Sequence, residues 1–136
     1  MKNISLTEGR KYITNQLPVR LSSRDIEIYF SEKLKEIKSL LSLDRINATI
    51  MHNIRKLIKD LLYCAQILEA EAKYRLPSSV WSRERQEYFA RIASDLGEYH
   101  DRFIETTFLE KKEKQILNKE LQKMKKQLLD SLRKNI

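Results

Sequence analysis

Apolar residues recur at three- and four-residue spacing along four stretches of the chain. Ser22 or Ser23 can cap a first helix, and Ile26, Phe30, Leu34, Ile37 and Leu41 then keep that spacing, which predicts an amphipathic helix over about 24–41. Ser42-Leu43-Asp44 reads as a turn. Ile50, Ile54, Leu57, Leu61, Ala65 and Leu68 predict a second helix over about 47–73. Pro77, Ser78 and Ser79 end that stretch and cap a third helix over about 80–104, with Trp81, Tyr88, Ile92, Leu96, Tyr99 and Phe103 as its stripe. Gly97 lies beside this stripe, where the missing side chain is expected to let a neighbouring backbone approach. A fourth helix is expected from Thr106 or Thr107 to the C-terminus on Leu117, Leu121, Met124, Leu128 and Leu132. Its charged first half, from Glu110 to Gln115, is expected to project beyond the core.

Four amphipathic helices with short connections predict an all-α, antiparallel helical bundle spanning residues 23–136 as one domain. Residues 1–22, interrupted by Gly9 and Pro18, form an N-terminal segment with room for a short helix over about 7–17. Only 2 Gly and 2 Pro in 136 residues leave little turn chemistry for hairpins. The lone cysteine, Cys64, sits in an apolar helical stretch and reads as a small buried hydrophobe in a reducing compartment. With no leader pattern and no apolar run approaching the roughly 18 residues that span a bilayer, a soluble, cytoplasmic protein without a membrane partner is expected.

Charge raises the question of partners. Lys and Arg number 27 against 19 acids, a net +8 with a pI near 9.6, which favours a polyanion if the excess is concentrated. On the second helix, with His52 set at zero on a wheel, Arg55, Lys56, Lys59 and Tyr63 all fall within roughly 60° of it, opposite the apolar stripe, along about 17 Å of helix. This reads as the most basic continuous surface of the chain. Asp60 lies on its flank and is expected to pair with Lys56 at i,i+4. Arg24, Lys35 and Lys38 make a weaker version on the first helix. Guanidinium forks, ammonium groups, imidazole and phenol together suit a chain of phosphates; an ordinary solvated helix face has the same composition.

These residues resemble the CHAD, or conserved-histidine α-helical, domain family. His52, Arg55, Lys59, Leu61 and Tyr63 are similar to its first motif, and Leu96, Gly97, His100 and Asp101 to its second. The resemblance covers about residues 23–110 and looks like the second half of that domain. It implies a basic helical bundle that binds inorganic polyphosphate through His52, Arg55, Lys56, Lys59 and Tyr63, with Arg24, Lys35, Lys38 and His100 as secondary anion contacts. Since the family has two such halves, the resemblance implies either pairing into a homodimer or a fragment or reduced form of the domain. Asp60 and Leu62 depart from the family pattern, each lowering the local positive charge.

Other chemistries find less support. His52 and His100 lack the Glu-x-x-His spacing of metal-binding bundles, so neither a metal nor another cofactor is expected. No Gly-rich phosphate loop or clustered acid pair suggests an enzyme. Nucleic acid remains the main rival ligand, because a basic strip contacts any phosphodiester chain. A protein-interaction bundle, with the strip meeting an acidic protein, is the other alternative.

Overall fold

Ser22 opens the first helix through a reciprocal cap: its Oγ accepts the Asp25 N–H at 3.1 Å, and Asp25 Oδ2 accepts the Ser22 N–H at 3.1 Å. These hydrogen bonds, backbone first, hold the Asp25 carboxyl below its usual range. Helix α1 runs Ser23–Leu41. Helix α2, Ala48–Ala70, begins where Asn47 Oδ1 accepts the Ile50 N–H at 2.9 Å. The computed structural model describes residues 22–71 and 76–136; the short helix expected over 7–17, and the expected end of the second helix near Lys73, lie outside them.

The third helix starts later than its apolar spacing suggests. Val80 and Trp81 belong to a turn, their N–H groups donating to the Pro77 carbonyl at 2.9 and 3.0 Å. Ser82, rather than Ser78 or Ser79, caps α3, Arg83–Glu105, by accepting the Arg85 N–H at 3.1 Å. Trp81 is nevertheless core, stacked on Phe89 at 5.3 Å and tilted against Phe30 at 5.2 Å. A 3-10 turn, Thr106–Phe108, then separates α3 from α4, Lys111–Asn135. The buried Thr106 hydroxyl satisfies itself on the Phe103 carbonyl at 2.6 Å.

Successive helices are antiparallel, as His52 near the start of α2 meeting His100 near the end of α3 shows. Tyr88, early in α3, likewise shares a 2.8 Å hydrogen bond with Ser131, late in α4. Helix α2 packs on α1 and α3, α3 on α4, and α4 reaches back to α1 to close the bundle. That closure comes at the C-terminal ends of both helices, where Arg133 donates from Nε and Nη2 to the Leu41 carbonyl at 3.3 and 3.0 Å. The last turns of α4 therefore lie against the α1–α2 connection.

Phe30, Ile37, Ile54, Ile58, Leu61, Phe89 and Leu132 are fully buried, each worth roughly 1.5–3 kcal/mol of transfer free energy. Leu62 belongs to this core. Phe103 departs from the expected stripe and is exposed, as are Ile104, Phe108 and Ile116. Lys111 to Ile116 are all exposed, so the start of α4 does project. No helix among the described residues is long and apolar enough to cross a membrane.

Candidate functional site

Helices α2 and α3 bring the two motif stretches into direct contact. The His52 and His100 rings stack with centroids 4.9 Å apart and planes 27° from parallel. One turn on, Arg55 crosses to α3, where its Nε donates to the Ala93 carbonyl at 3.2 Å. Its guanidinium covers Gly97: a Cβ there would stand 3.1 Å from Nη2, 3.2 Å from Nε and 3.3 Å from Cζ. Gly97 thus makes room for a side chain, not for the neighbouring backbone its position suggested.

This packing corrects the expected exposure of the strip. Arg55 and Lys59 are half-buried, and Arg55 spends part of its hydrogen-bonding capacity inside the fold. His52 Nδ1 is buried without a hydrogen-bond partner, so protonating it would bury an unsatisfied N–H. Its pKa is accordingly depressed, by desolvation first and then by His100, Lys56, Arg55 and Lys59. His52 is a neutral packing group near pH 7. Lys59 Nζ sits 5.9 Å from the Tyr63 ring centroid, at the outer edge of cation–π range. Lys56 is exposed.

The expected Lys56–Asp60 ion pair does not form. Asp60 instead lies toward α1. Desolvation raises its carboxyl, Lys33, Lys56 and Lys59 oppose that, and Glu36 adds to it. Lys33 and Glu36, themselves 3.9 Å apart, therefore mark the flank of α1 that faces α2. Arg24, Lys35 and Lys38 are exposed roughly 100–180° round the helix from Lys33 and Glu36, so they do not join the α2 strip.

Charge is distributed differently from the strip-centred expectation. Four cations balance four acids in α1, three meet two in α2, and four meet six in α3. Helix α4 carries nine Lys and Arg against Glu113, Glu120 and Asp130, an excess of six. With Leu121 set at zero on a wheel, Lys112, Lys119, Lys123, Lys126, Arg133 and Lys134 occupy about 120–220°, with Asp130 among them. All six are exposed, and none takes part in an ion pair among the described residues. The larger positive face is that of α4; in the sequence alone a row of lysines on a helix reads as a solvated surface, because the neighbouring acids are not yet placed.

Among the described residues no group of three or more His, Cys, Asp or Glu side chains stands close enough to hold a metal ion. Cys64 is 1% exposed, and desolvation, with Asp60 nearby, pushes its thiol up to about 12. No protein-family model, curated protein or solved structure matches the chain.

Proposed function

We propose that this protein is a non-catalytic module that holds a polyanion, inorganic polyphosphate before others, on unpaired cations of two helix faces. The observation that carries the reading is the collection of the charge excess on α4, on an exposed face free of ion pairs. Lys56 and Lys59 on α2 add a second, smaller face. Capture is electrostatic: ammonium and guanidinium groups displace counterions condensed along the phosphate chain, and the entropy of their release drives binding. Arg55, His52, Gly97 and His100 act chiefly as the framework that fixes α2 on α3.

Polyphosphate is placed first because of the CHAD resemblance, whose two motif stretches are the ones in contact here. Pairing into a homodimer and a cytoplasmic location belong to the same proposal. Duplex nucleic acid is a second reading, favoured by the length of the α4 row. Lys112 to Lys134 spans about 33 Å at 1.5 Å per residue, close to one duplex turn of about 34–36 Å. Aromatic groups are scarce on both faces, which disfavours single strands.

A competition titration with long-chain polyphosphate, duplex DNA and single-stranded RNA, matched in phosphate and at near-physiological salt, tests the proposal. Preference for polyphosphate is expected. Preference for duplex DNA would transfer the site to nucleic acid, and absence of binding to all three would overturn the polyanion reading.

A further inference from the structure

The last turns of α4 and the α1–α2 connection border an open hollow of about 390 Å³, lined by Asp44, Arg45, Ile46, Asn47, Lys125, Leu129 and Arg133. A second hollow of about 190 Å³ adjoins it, sharing Lys125, Leu129 and Arg133 and adding Gln122, Lys126 and Asp130. Ile46 and Leu129 are nearly fully buried and form an apolar floor. Three cations line two walls: Arg45 on the connection, and Lys125 and Arg133 about two turns apart on α4, on either side of Leu129. None pairs with Asp44 or Asp130.

Arg133 is the best organised of the three. Its Nε and Nη2 are both anchored on the Leu41 carbonyl. The guanidinium is therefore held in place before any ligand arrives, while Nη1 and the second Nη2 hydrogen have no partner among the described residues. A fork fixed in this way suits an oxyanion, because little side-chain freedom remains to be lost on binding. Asn47, the N-cap of α2, lies in the same wall, so the positive end of that helix dipole adds to the field. Three cations against the single lining acid, Asp44, leave an excess of two positive charges, matching a phosphate dianion. The volume falls at the small end of ligand sites, about 300–1,000 Å³, leaving space beside the phosphate over Ile46 and Leu129.

We infer that the larger hollow binds a phosphate monoester, the phosphate held between Arg45, Lys125 and Arg133 and the organic part lying on Ile46 and Leu129. The inference is separable from the polyanion reading: Arg133 belongs to both surfaces, but Arg45 and Lys125 lie outside the α4 row, and a compact ligand does not need the length of α4.

Calorimetric titration of the full chain with adenosine 5′-monophosphate and, separately, with inorganic phosphate tests the site. Saturable binding of one monophosphate per chain is expected, several-fold tighter than inorganic phosphate. The pair Arg45→Gln and Lys125→Gln, which leaves the Arg133–Leu41 anchor intact, should weaken it at least tenfold with unchanged circular dichroism. Lys56→Gln with Lys59→Gln should leave it unchanged. Equal affinity for the two probes would overturn the assignment of the apolar floor. Failure of adenosine 5′-monophosphate to saturate, or a loss caused by the α2 pair rather than by Arg45 and Lys125, would overturn the site itself. Polyphosphate binding by the Arg45/Lys125 variant keeps that outcome distinct from failure of the polyanion reading.

Discussion

The guanidinium of Arg55 lies against the bare backbone of Gly97, the closest approach to an added Cβ being 3.1 Å. A basic side chain that looks exposed on an isolated helix thereby becomes part of the α2–α3 joint, tied to the Ala93 carbonyl. Binding and stability are coupled at this position. A variant of Arg55 that loses ligand affinity therefore says little about ligand contact unless its folding is measured as well.

Gly97→Ala should be close to neutral. The helix gains about 1 kcal/mol from the replacement, while the guanidinium must retreat by a few tenths of an ångström and weaken a hydrogen bond worth about 1 kcal/mol. Gly97→Leu has no such compensation and should lose about 1–3 kcal/mol by overpacking. In an Arg55→Ala background both substitutions should be better tolerated, giving a clear coupling in a urea double-mutant cycle. Additive effects would mean that the two residues do not touch in solution.

Acid should destabilise the protein through His52. Its folded pKa lies below the unfolded value of 6.5, so the unfolded chain binds the extra proton first. Stability is complete above about 6.5 and falls as pH drops through that value toward the folded pKa. Unfolding free energies measured by urea between pH 7.5 and 5 should decline in the wild type more steeply than in His52→Gln. Parallel profiles for the two proteins would remove His52 as the cause.

Cys64 should be chemically silent while the chain is folded. Burial denies access, and a thiol pKa of about 12 leaves almost no thiolate near neutrality. Modification by a soluble disulfide reagent at pH 8 should be slower in native buffer than in urea by roughly a thousandfold, the order set by the loss of thiolate. Rapid labelling of the native protein would contradict the packing of α2.

The sequence and the structure agree where local chemistry decides the outcome. Ser22 and Asn47 are good caps standing immediately before apolar repeats, and α1 and α2 begin there. Agreement is lost at Trp81, whose apolar side chain reports burial and not helix: it enters the core from a turn, and Ser82 is the cap. Apolar spacing cannot separate those two cases. At the candidate site, the order of His52, Arg55, Lys59 and Tyr63 along one face was legible, but the depth of Arg55 depends on a gap at Gly97 supplied by another helix. The hollow at Arg133 was out of reach for a related reason. It depends on a hydrogen bond to Leu41 across 92 residues, which no periodicity encodes.

The central claim is that the exposed α4 face, assisted by Lys56 and Lys59, captures a polyanion. Its most direct test is the affinity for long-chain polyphosphate, measured by fluorescence across a salt series. The wild type should be compared with a variant carrying Lys119→Gln, Lys123→Gln, Lys126→Gln and Lys134→Gln, and with the pair Lys56→Gln and Lys59→Gln. The α4 variant should lose affinity at least tenfold, and its plot of log affinity against log salt should flatten by about 0.7 for each phosphate contact removed. The α2 pair should show a smaller loss of the same kind. Wild-type affinity and salt slope in the α4 variant would contradict the account.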